Sequence, residues 1–341
     1  MNKSITRIEI QKQPEFITET LLTEGDHAIE IARKITKDKI HKMFFVGCGS
    51  SYCASLLAKY LSDSLTNNCS DALNGYEFTR FPPMSINKKA YVFLTSFSGE
   101  SEDIIQALQL AKKHKIYTIG VTCIKNSTLH KEVDEPVLLR DFNLASQGPM
   151  VGGYSTQVAW FYWLIGHISK LSLSHNRTEQ ILQQFMKLPQ ILRVIIEDEE
   201  KKMAELAKNY KEEQGFYVIG SGPLYSLAYK LAHTMITENV FMHGSVVTSG
   251  EFRHGLIEKI EKRVPVILLL GYRDSMTERV LRFVRSHEAE TIVFNANHYS
   301  RMDEAFLPLL LSIPTEWFTY YLSLEKGRLP EYRRYMNKEP F

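Results

Sequence analysis

The chain has 341 residues, 44% hydrophobic and 23% charged, with 41 basic and 39 acidic side chains for a net charge of +2. That length suits two α/β domains of ordinary size, and that composition is globular rather than disordered. A near-neutral balance without a long basic run leaves nucleic-acid and membrane-surface binding without electrostatic support. The N-terminal stretch MNKSITRIEIQKQPEF lacks the apolar core of a signal peptide. Apolar runs such as Val266–Leu270 have the length of a core strand, far short of a membrane span. Cys48, Cys53, Cys69 and Cys123 form no CxxC pair and no Cys/His cluster of zinc-finger spacing. They read as reduced thiols of a cytoplasmic protein, and no metal is expected.

In chain order, residues 42–61 (KMFFVGCGSSYCASLLAKYL) predict a short strand, a Gly/Ser turn and a helix. Ala90–Leu94 predicts a second strand that runs through TSFSGESED into the amphipathic helix IIQALQLAKKHK. Tyr117–Val121 and Pro136–Leu139 add two more apolar segments. Strands alternating with helices imply a parallel sheet with helices on both faces. The pattern recurs: VGCGSSY at 46–52 aligns with IGSGPLY at 219–225, an offset of 173 residues. Val264–Leu270, a helix near Thr277–His287 and Thr291–Asn295 then repeat the same rhythm, so the reading is two homologous α/β domains. Gln157–Leu171 and Thr178–Tyr210 read as helices of a connector rather than a flexible linker, because Gly and Ser are sparse there. After Ala305 a further helix (TEWFTYYLSLEK) leads to the charged-aromatic tail RLPEYRRYMNKEPF. The expected divisions are an N-terminal segment 1–30, a first domain 31–170, a helical connector 171–210, and a second domain 211–341 with the C-terminal helix and tail.

Two stretches carry candidate chemistry. In Thr95-Ser96-Phe97-Ser98-Gly99-Glu100-Ser101, hydroxyls at 96, 98 and 101 fall between a strand end and a helix start. Free backbone N–H groups and the helix dipole favour a phosphate dianion there, at the carboxyl edge of a parallel sheet. Ser50 and Ser51, after Gly49 in the first turn, are placed to converge on the same anion. The competing reading is local: these serines cap helices and form turns. No lysine lies in the loop and no GxxxxGK[ST] occurs, which argues against a nucleoside triphosphate; GCGSS lacks the full GxGxxG of a dinucleotide site. The second stretch, residues 237–255 (TENVFMHGSVVTSGEFRHG), gathers Glu238, His243, Glu251, Arg253 and His254. Such a set can supply a base and an acid on either side of a carbonyl. Equally, Glu251 can cap a helix with Arg253 as its ion partner, and a single histidine is ordinarily a core or surface residue.

SFSGESED resembles the phosphate loop of sugar isomerase (SIS) domains, and GCGSSY resembles their first-strand turn. The segment from Glu238 to His254 resembles the active-site segment of the isomerase half of glucosamine-6-phosphate synthase. There a helix glutamate stands 16 residues before the histidine of a GE-x-x-HG motif, with another histidine five residues after the glutamate; Glu238, His254 and His243 match. SGEFRHG, VPVILLLG, TER at 277–279 and RRYM resemble the branch of fructosamine and fructoselysine 6-phosphate deglycases. The similarity extends from about Ile10 onward. It implies two tandem SIS domains, each a parallel sheet flanked by helices in a flavodoxin-like, doubly wound arrangement. It also implies that Glu238 is the base moving a proton between C1 and C2 of an open-chain sugar. His254 would be the ring-opening acid/base, reaching the site from a second protomer of a homodimer or larger assembly. Ser51, Ser96, Ser98 and Ser101 would bind phosphate, with Gly49 and Ser50 in the adjoining turn and Glu251 beside the substrate; His243 is a further candidate.

The departures shape the expected activity. The chain begins Met1-Asn2, so no cysteine follows the initiator and release of ammonia from glutamine by that route is not expected. Met235 stands where the synthase has a lysine, Phe97 where its serine loop has glutamine, and Leu256 where proline usually follows GE-x-x-HG. EYRRYMNKEPF replaces a lysine-bearing tail. The resemblance therefore implies a deglycase cleaving a 1-amino-1-deoxyketose 6-phosphate, such as fructoselysine 6-phosphate, without cofactor. The same glutamate and histidine would also serve a glucosamine-6-phosphate deaminase or a ketose/aldose-phosphate isomerase. A non-catalytic sugar-phosphate sensor is the alternative of another class, although only about 40 residues precede the first strand and none forms a basic recognition helix. The motifs leave the amine open between lysine, another amino acid and ammonia.

Overall fold

A computed structural model describes residues 4–140, 151–173, 176–336 and 338. The first domain span, 31–170, thus includes ten positions, 141–150, outside the described residues, and so do Asn337 and 339–341 of the tail. The chain divides into two compact units: residues 12–145 with 150–189, and residues 190–341 with 1–11 and 146–149.

The chain opens with α1 (Ile5–Lys37), a 33-residue helix with Pro14 inside it. In the first unit β1 (Lys42–Gly47), α2 (Ser50–Leu65), β2 (Cys69–Asn74) and α3 (Gly75–Arg80) follow in turn. Then come β3 (Ala90–Thr95), α4 (Glu102–Lys113), β4 (Tyr117–Thr122), α5 (Thr128–Glu132) and β5 (Glu135–Leu138). Two long helices, α6 (Val151–Leu173) and α7 (Asn176–Lys208), complete this half, and the division between the units falls within α7 at Pro189. The five strands pair in parallel in the order β2-β1-β3-β4-β5. That is the doubly wound arrangement whose switch point lies between the first and third strands. Successive residues face opposite sides of the sheet. Phe44, Val46, Val92 and Leu94 pack with Ile104 and Leu108 of α4 in one core cluster. Phe45 and Phe93 stack on each other at 5.0 Å, and Phe45 meets Phe161 of α6 edge-on at 5.5 Å. Apart from its last residues α6 is buried nearly all round, which suits a helix apolar on every side.

In the second unit β6 (Gly215–Ile219) and α8 (Leu224–Lys230) run into a π-helix, Leu231–Val240. β7 (His243–Val247), two 3₁₀ turns, β8 (Pro265–Leu270), α9 (Ser275–Ser286), β9 (Glu290–Asn295) and α10 (Leu307–Glu325) follow. The strands are parallel in the order β7-β6-β8-β9, repeating the first four positions of the other sheet. Val266 and Leu268 cluster with Val280 and Val284 of α9. Phe216 and Phe294 meet Phe318 of α10 edge-on at 6.0 and 6.2 Å. The α/β reading with two parallel sheets is therefore what the chain forms. The elements that sequence reading passed over include α1, the polar edge strand β2 with α3, the short α5, and β7, which lay inside the presumed chemical segment.

Two local features carry testable consequences. His27 of α1 bridges two carboxylates of the same unit, Glu24 and Glu135, each at 2.8 Å. The hydrogen bond to Glu24 is the main reason its pKa is pushed up to about 9, with Glu135 adding to it against burial. A raised folded-state pKa stabilises fully below the unfolded value near 6.5 and is lost as pH rises through about 9. The melting temperature of His27→Gln should therefore lie below wild type at pH 6.5, and the gap should close by about pH 9.5. Gly99, between β3 and α4, has φ +67°, and a Cβ there would sit 2.1 Å from Ser127 Oγ and 2.6 Å from Ser127 Cβ. Gly99→Ala combines left-handed strain with overpacking and should cost about 2 kcal/mol or more in a denaturant titration.

Candidate active site

β1 and β3 are direct neighbours, paired in register from Lys42↔Ala90 to Gly47↔Thr95. The loops leaving their carboxyl ends, Cys48–Gly49 and Ser96–Ser101, thus start at the same level of the sheet. Their helices depart to opposite faces at the switch point, which opens a crevice where open α/β sheets bind ligands. Gly49, with φ 56°, precedes α2. A Cβ on Gly47 would fall 2.5 Å from the Ser51 carbonyl, so glycine is what lets helix and strand approach here. Ser50 is half-buried, and Ser51 is buried in the first turn of α2.

The hydroxyls of the serine loop differ in the local hydrogen bonds they make. Ser96 Oγ accepts from the Gly99 amide at 3.1 Å, and Ser98 Oγ from the Glu100 amide at 3.1 Å, so both do form turns. Ser101 holds the N-cap position of α4 yet makes no side-chain cap bond. Its hydroxyl lies 2.9 Å from Ser96 Oγ, with Ser98 Oγ 3.5 Å from the same atom. Three hydroxyls are thereby gathered at the start of a 12-residue helix whose first N–H groups have no intrahelical acceptor. Phe97, between them, is buried with its carbonyl accepting from Cys123 N and Thr122 Oγ1, each at 3.0 Å. Glu100 accepts from the Thr128 amide at 2.8 Å, which commits its carboxylate to the start of α5.

In the second unit, Glu238 lies near the C-terminal end of the π-helix. Thr237 Oγ1 donates to the Ala232 carbonyl five residues back, at 2.9 Å. Closing wider rings changes which side chains share a face, and such segments recur at functional sites. The helix stops at Phe241, in the left-handed region at φ 61°. The tail wraps this end: Arg328 and Arg334 lie 5.0 and 4.9 Å over the Phe241 ring, and Arg328 Nη1 donates to the Val240 carbonyl at 3.2 Å. Arg333 Nη2 reaches Glu238 Oε1 at 2.7 Å and Asn239 Oδ1 at 3.1 Å. Burial pushes the Glu238 carboxyl above the ordinary carboxylate range, and the Arg333 charge and hydrogen bond oppose it without cancelling the rise.

The remaining candidates sit elsewhere on the second sheet. His243 is exposed and opens β7, paired with Gly215 of β6. Glu251 and His254 lie past the other end of that strand, in an exposed 3₁₀ turn. Arg253 Nε donates to His254 Nε2 at 3.1 Å. Topology therefore sets Glu238 and His254 of one chain toward opposite ends of β7, whose five residues span roughly 16 Å. The second sheet's own switch point differs from the first. Asp274 caps α9 by accepting from Thr277 N at 2.9 Å and Thr277 Oγ1 at 2.5 Å, and Ser249 Oγ lies 2.5 Å from Thr277 Oγ1. Among the described residues, no group of three or more His, Cys, Asp or Glu is arranged to hold a metal ion, and no helix is long and apolar enough to cross a membrane. What sequence reading did not provide was the pairing of Arg333 with Glu238; nothing local in the tail signals that partner.

Residues 35–159 match the family model described as SIS domain. The chain is 28% identical over 332 residues to fructoselysine 6-phosphate deglycase of Escherichia coli O157:H7, covering 94% of this chain and 95% of that protein. It is 26% identical over 308 residues to fructosamine deglycase FrlB of Bacillus subtilis, covering 88% and 92%. Among solved structures, the C-terminal domain of glucosamine-fructose-6-phosphate aminotransferase from Francisella tularensis shares the fold. Its TM-score is 0.82 at 21% identity, covering 95% of this chain and 97% of that one. Residues 35–159 thus match a SIS domain, and over nearly its whole length the chain is similar to sugar-phosphate deglycases.

Proposed function

We propose that this protein is a deglycase acting on a 1-amino-1-deoxyketose 6-phosphate of the fructoselysine 6-phosphate type. The observation that carries the reading is Glu238: a half-buried carboxylate whose pKa burial raises, as a general base working near neutral pH requires. Support also comes from two relatives named as deglycases that align with nearly the whole chain.

In this reading Ser96, Ser98 and Ser101 bind the phosphate, with Ser51, Ser50 and Gly49 in the neighbouring turn. His254 assists ring opening. Glu238 then removes a proton from C1, and the electron pair forms the C1–C2 double bond of an enolamine as the C2 oxygen gains a proton. Return of a proton to C2 moves the double bond to C1–N, giving an aldimine. Addition of water at C1 and cleavage of the C1–N bond release the amine and leave glucose 6-phosphate. Hydride and electrons stay within the substrate throughout, so the sequence of steps balances with water alone.

His254 is assigned to the active centre of a neighbouring protomer in a homodimer or larger assembly, a reading favoured by the position of Glu238 and His254 at opposite ends of β7. Glu251, in the same exposed turn, is assigned to substrate binding and His243 to a supporting role.

Glu238→Gln and His254→Ala should each lower amine release from fructoselysine 6-phosphate by about 10²–10⁴-fold while leaving phosphate-ester binding intact. Retention of more than about a tenth of wild-type rate by both would contradict the assignment. Ammonia release from glucosamine 6-phosphate, with none of lysine from the ketosamine, would move the activity to the deaminase class. Co-expression of the two inactive variants tests sharing of His254: mixed assemblies should regain turnover, and persistent inactivity in isolated mixed assemblies would place both groups in one protomer's centre.

A further inference from the structure

The proposed base is not alone. Arg333 lies on Glu238, with its Nη2 2.7 Å from Oε1. The guanidinium is also held by three other groups. Its Nη1 donates to the Pro330 and Tyr332 carbonyls at 2.7 and 3.1 Å, and Nη2 donates to Asn239 Oδ1 at 3.1 Å. With Glu238 taken away, three contacts still fix the side chain, which is only 15% exposed. A cation so preorganised can exchange one carboxylate for another at small cost. A different anion on the fixed Arg333 would also offset the charge that holds the Glu238 carboxyl down, strengthening the base.

Distance selects the anion. A base abstracting the C1 proton comes within about 3.5 Å of that carbon, so a guanidinium nitrogen 2.7 Å from Oε1 lies close to the nitrogen substituent on C1. An amino acid joined through its α-nitrogen carries its carboxyl carbon two bonds from that nitrogen, about 2.5 Å away. Joined through a lysine ε-nitrogen, six bonds intervene, roughly 7.5 Å when extended. The first reaches the guanidinium directly, whereas the second must fold back on itself.

We propose that Arg333 is a specificity-determining residue whose fixed guanidinium takes up, in place of Glu238, the carboxylate of an amino acid attached to the sugar through its α-nitrogen. This rests on the proposed role of Glu238 and narrows the amine portion of its substrate.

The test measures kcat/KM for amine release from three fructosamine 6-phosphates, prepared from glycine, from Nα-acetyl-lysine and from ethylamine. Wild type should prefer the glycine adduct to the ethylamine adduct by about tenfold or more, the scale of one charge-assisted hydrogen bond. The ε-linked adduct should behave like ethylamine. Arg333→Gln should bring the glycine-to-ethylamine ratio to within about twofold, and Arg333→Lys should keep part of it. Arg334→Gln, the same charge change at a side chain that lies on Phe241, should keep the wild-type ratio. Because the readout is a ratio within one protein, a general loss of folded enzyme does not imitate it. A wild-type ratio near one, a tenfold preference for the ε-linked adduct, or an unchanged ratio in Arg333→Gln overturns the proposal while sparing the deglycase reading. No amine release from any adduct overturns both.

Discussion

Parallel pairing of β1 with β3 is the constraint on which the rest of the first unit depends. Parallel neighbours need crossover helices, and at this junction the two crossovers leave in opposite directions. The carboxyl ends of both strands are therefore left uncovered at one level, with helix N-termini beside them. The residues there answer that geometry. Gly47 permits α2 to close on the strand, Gly99 permits the second loop to close on Ser127, and the hydroxyls collect where backbone N–H groups are bare. Without the register Gly47↔Thr95, those loops would not begin side by side.

The second unit repeats the topology. Its half-buried Glu238 stands at the end of a π-helix whose last turn is gripped by the C-terminal tail. Two opposing effects act on Glu238: removal from water, which favours the neutral acid, and Arg333, which favours the anion. Desolvation wins, so the carboxyl takes up a proton more readily than it would in water. The same tail stabilises the strained backbone at Phe241 by placing Arg328, Arg334 and Tyr332 around its ring. Positioning and tuning of the carboxylate thus share one structural source.

How far the sequence could be read follows from where the information resides. The buried strands β1, β3, β4 and β8 announce themselves as apolar runs because both faces are covered. β2, CSDALN, is a half-exposed edge strand and carries no such signature. β7 hides among residues that look functional, and the 33-residue α1, interrupted by Pro14, offers mixed periodicity. For the site, Ser96, Ser98 and Ser101 could be picked out by their place between strand and helix, but not sorted. Only coordinates show Ser96 and Ser98 spending an acceptor on the turn while Ser101 leaves its helix uncapped. Likewise Glu238 could be singled out, whereas its partnership with Arg333 depends on how the tail folds back, which no local pattern encodes.

One difference between the two sheets has a further meaning. At the first switch point no side chain caps the helix, although Glu102 and Asp103 follow in its first turn; at the second, Asp274 occupies the helix start, bonded to Thr277, which also meets Ser249. A carboxylate fixed there repels any incoming dianion and consumes the N–H groups that would greet it. The duplicated architecture is in this sense asymmetric in its capping, with one helix start left open and the other closed by its own carboxylate. Two equivalent crevices would offer an anion two helix starts, whereas here one of the two is already closed by a side chain of its own.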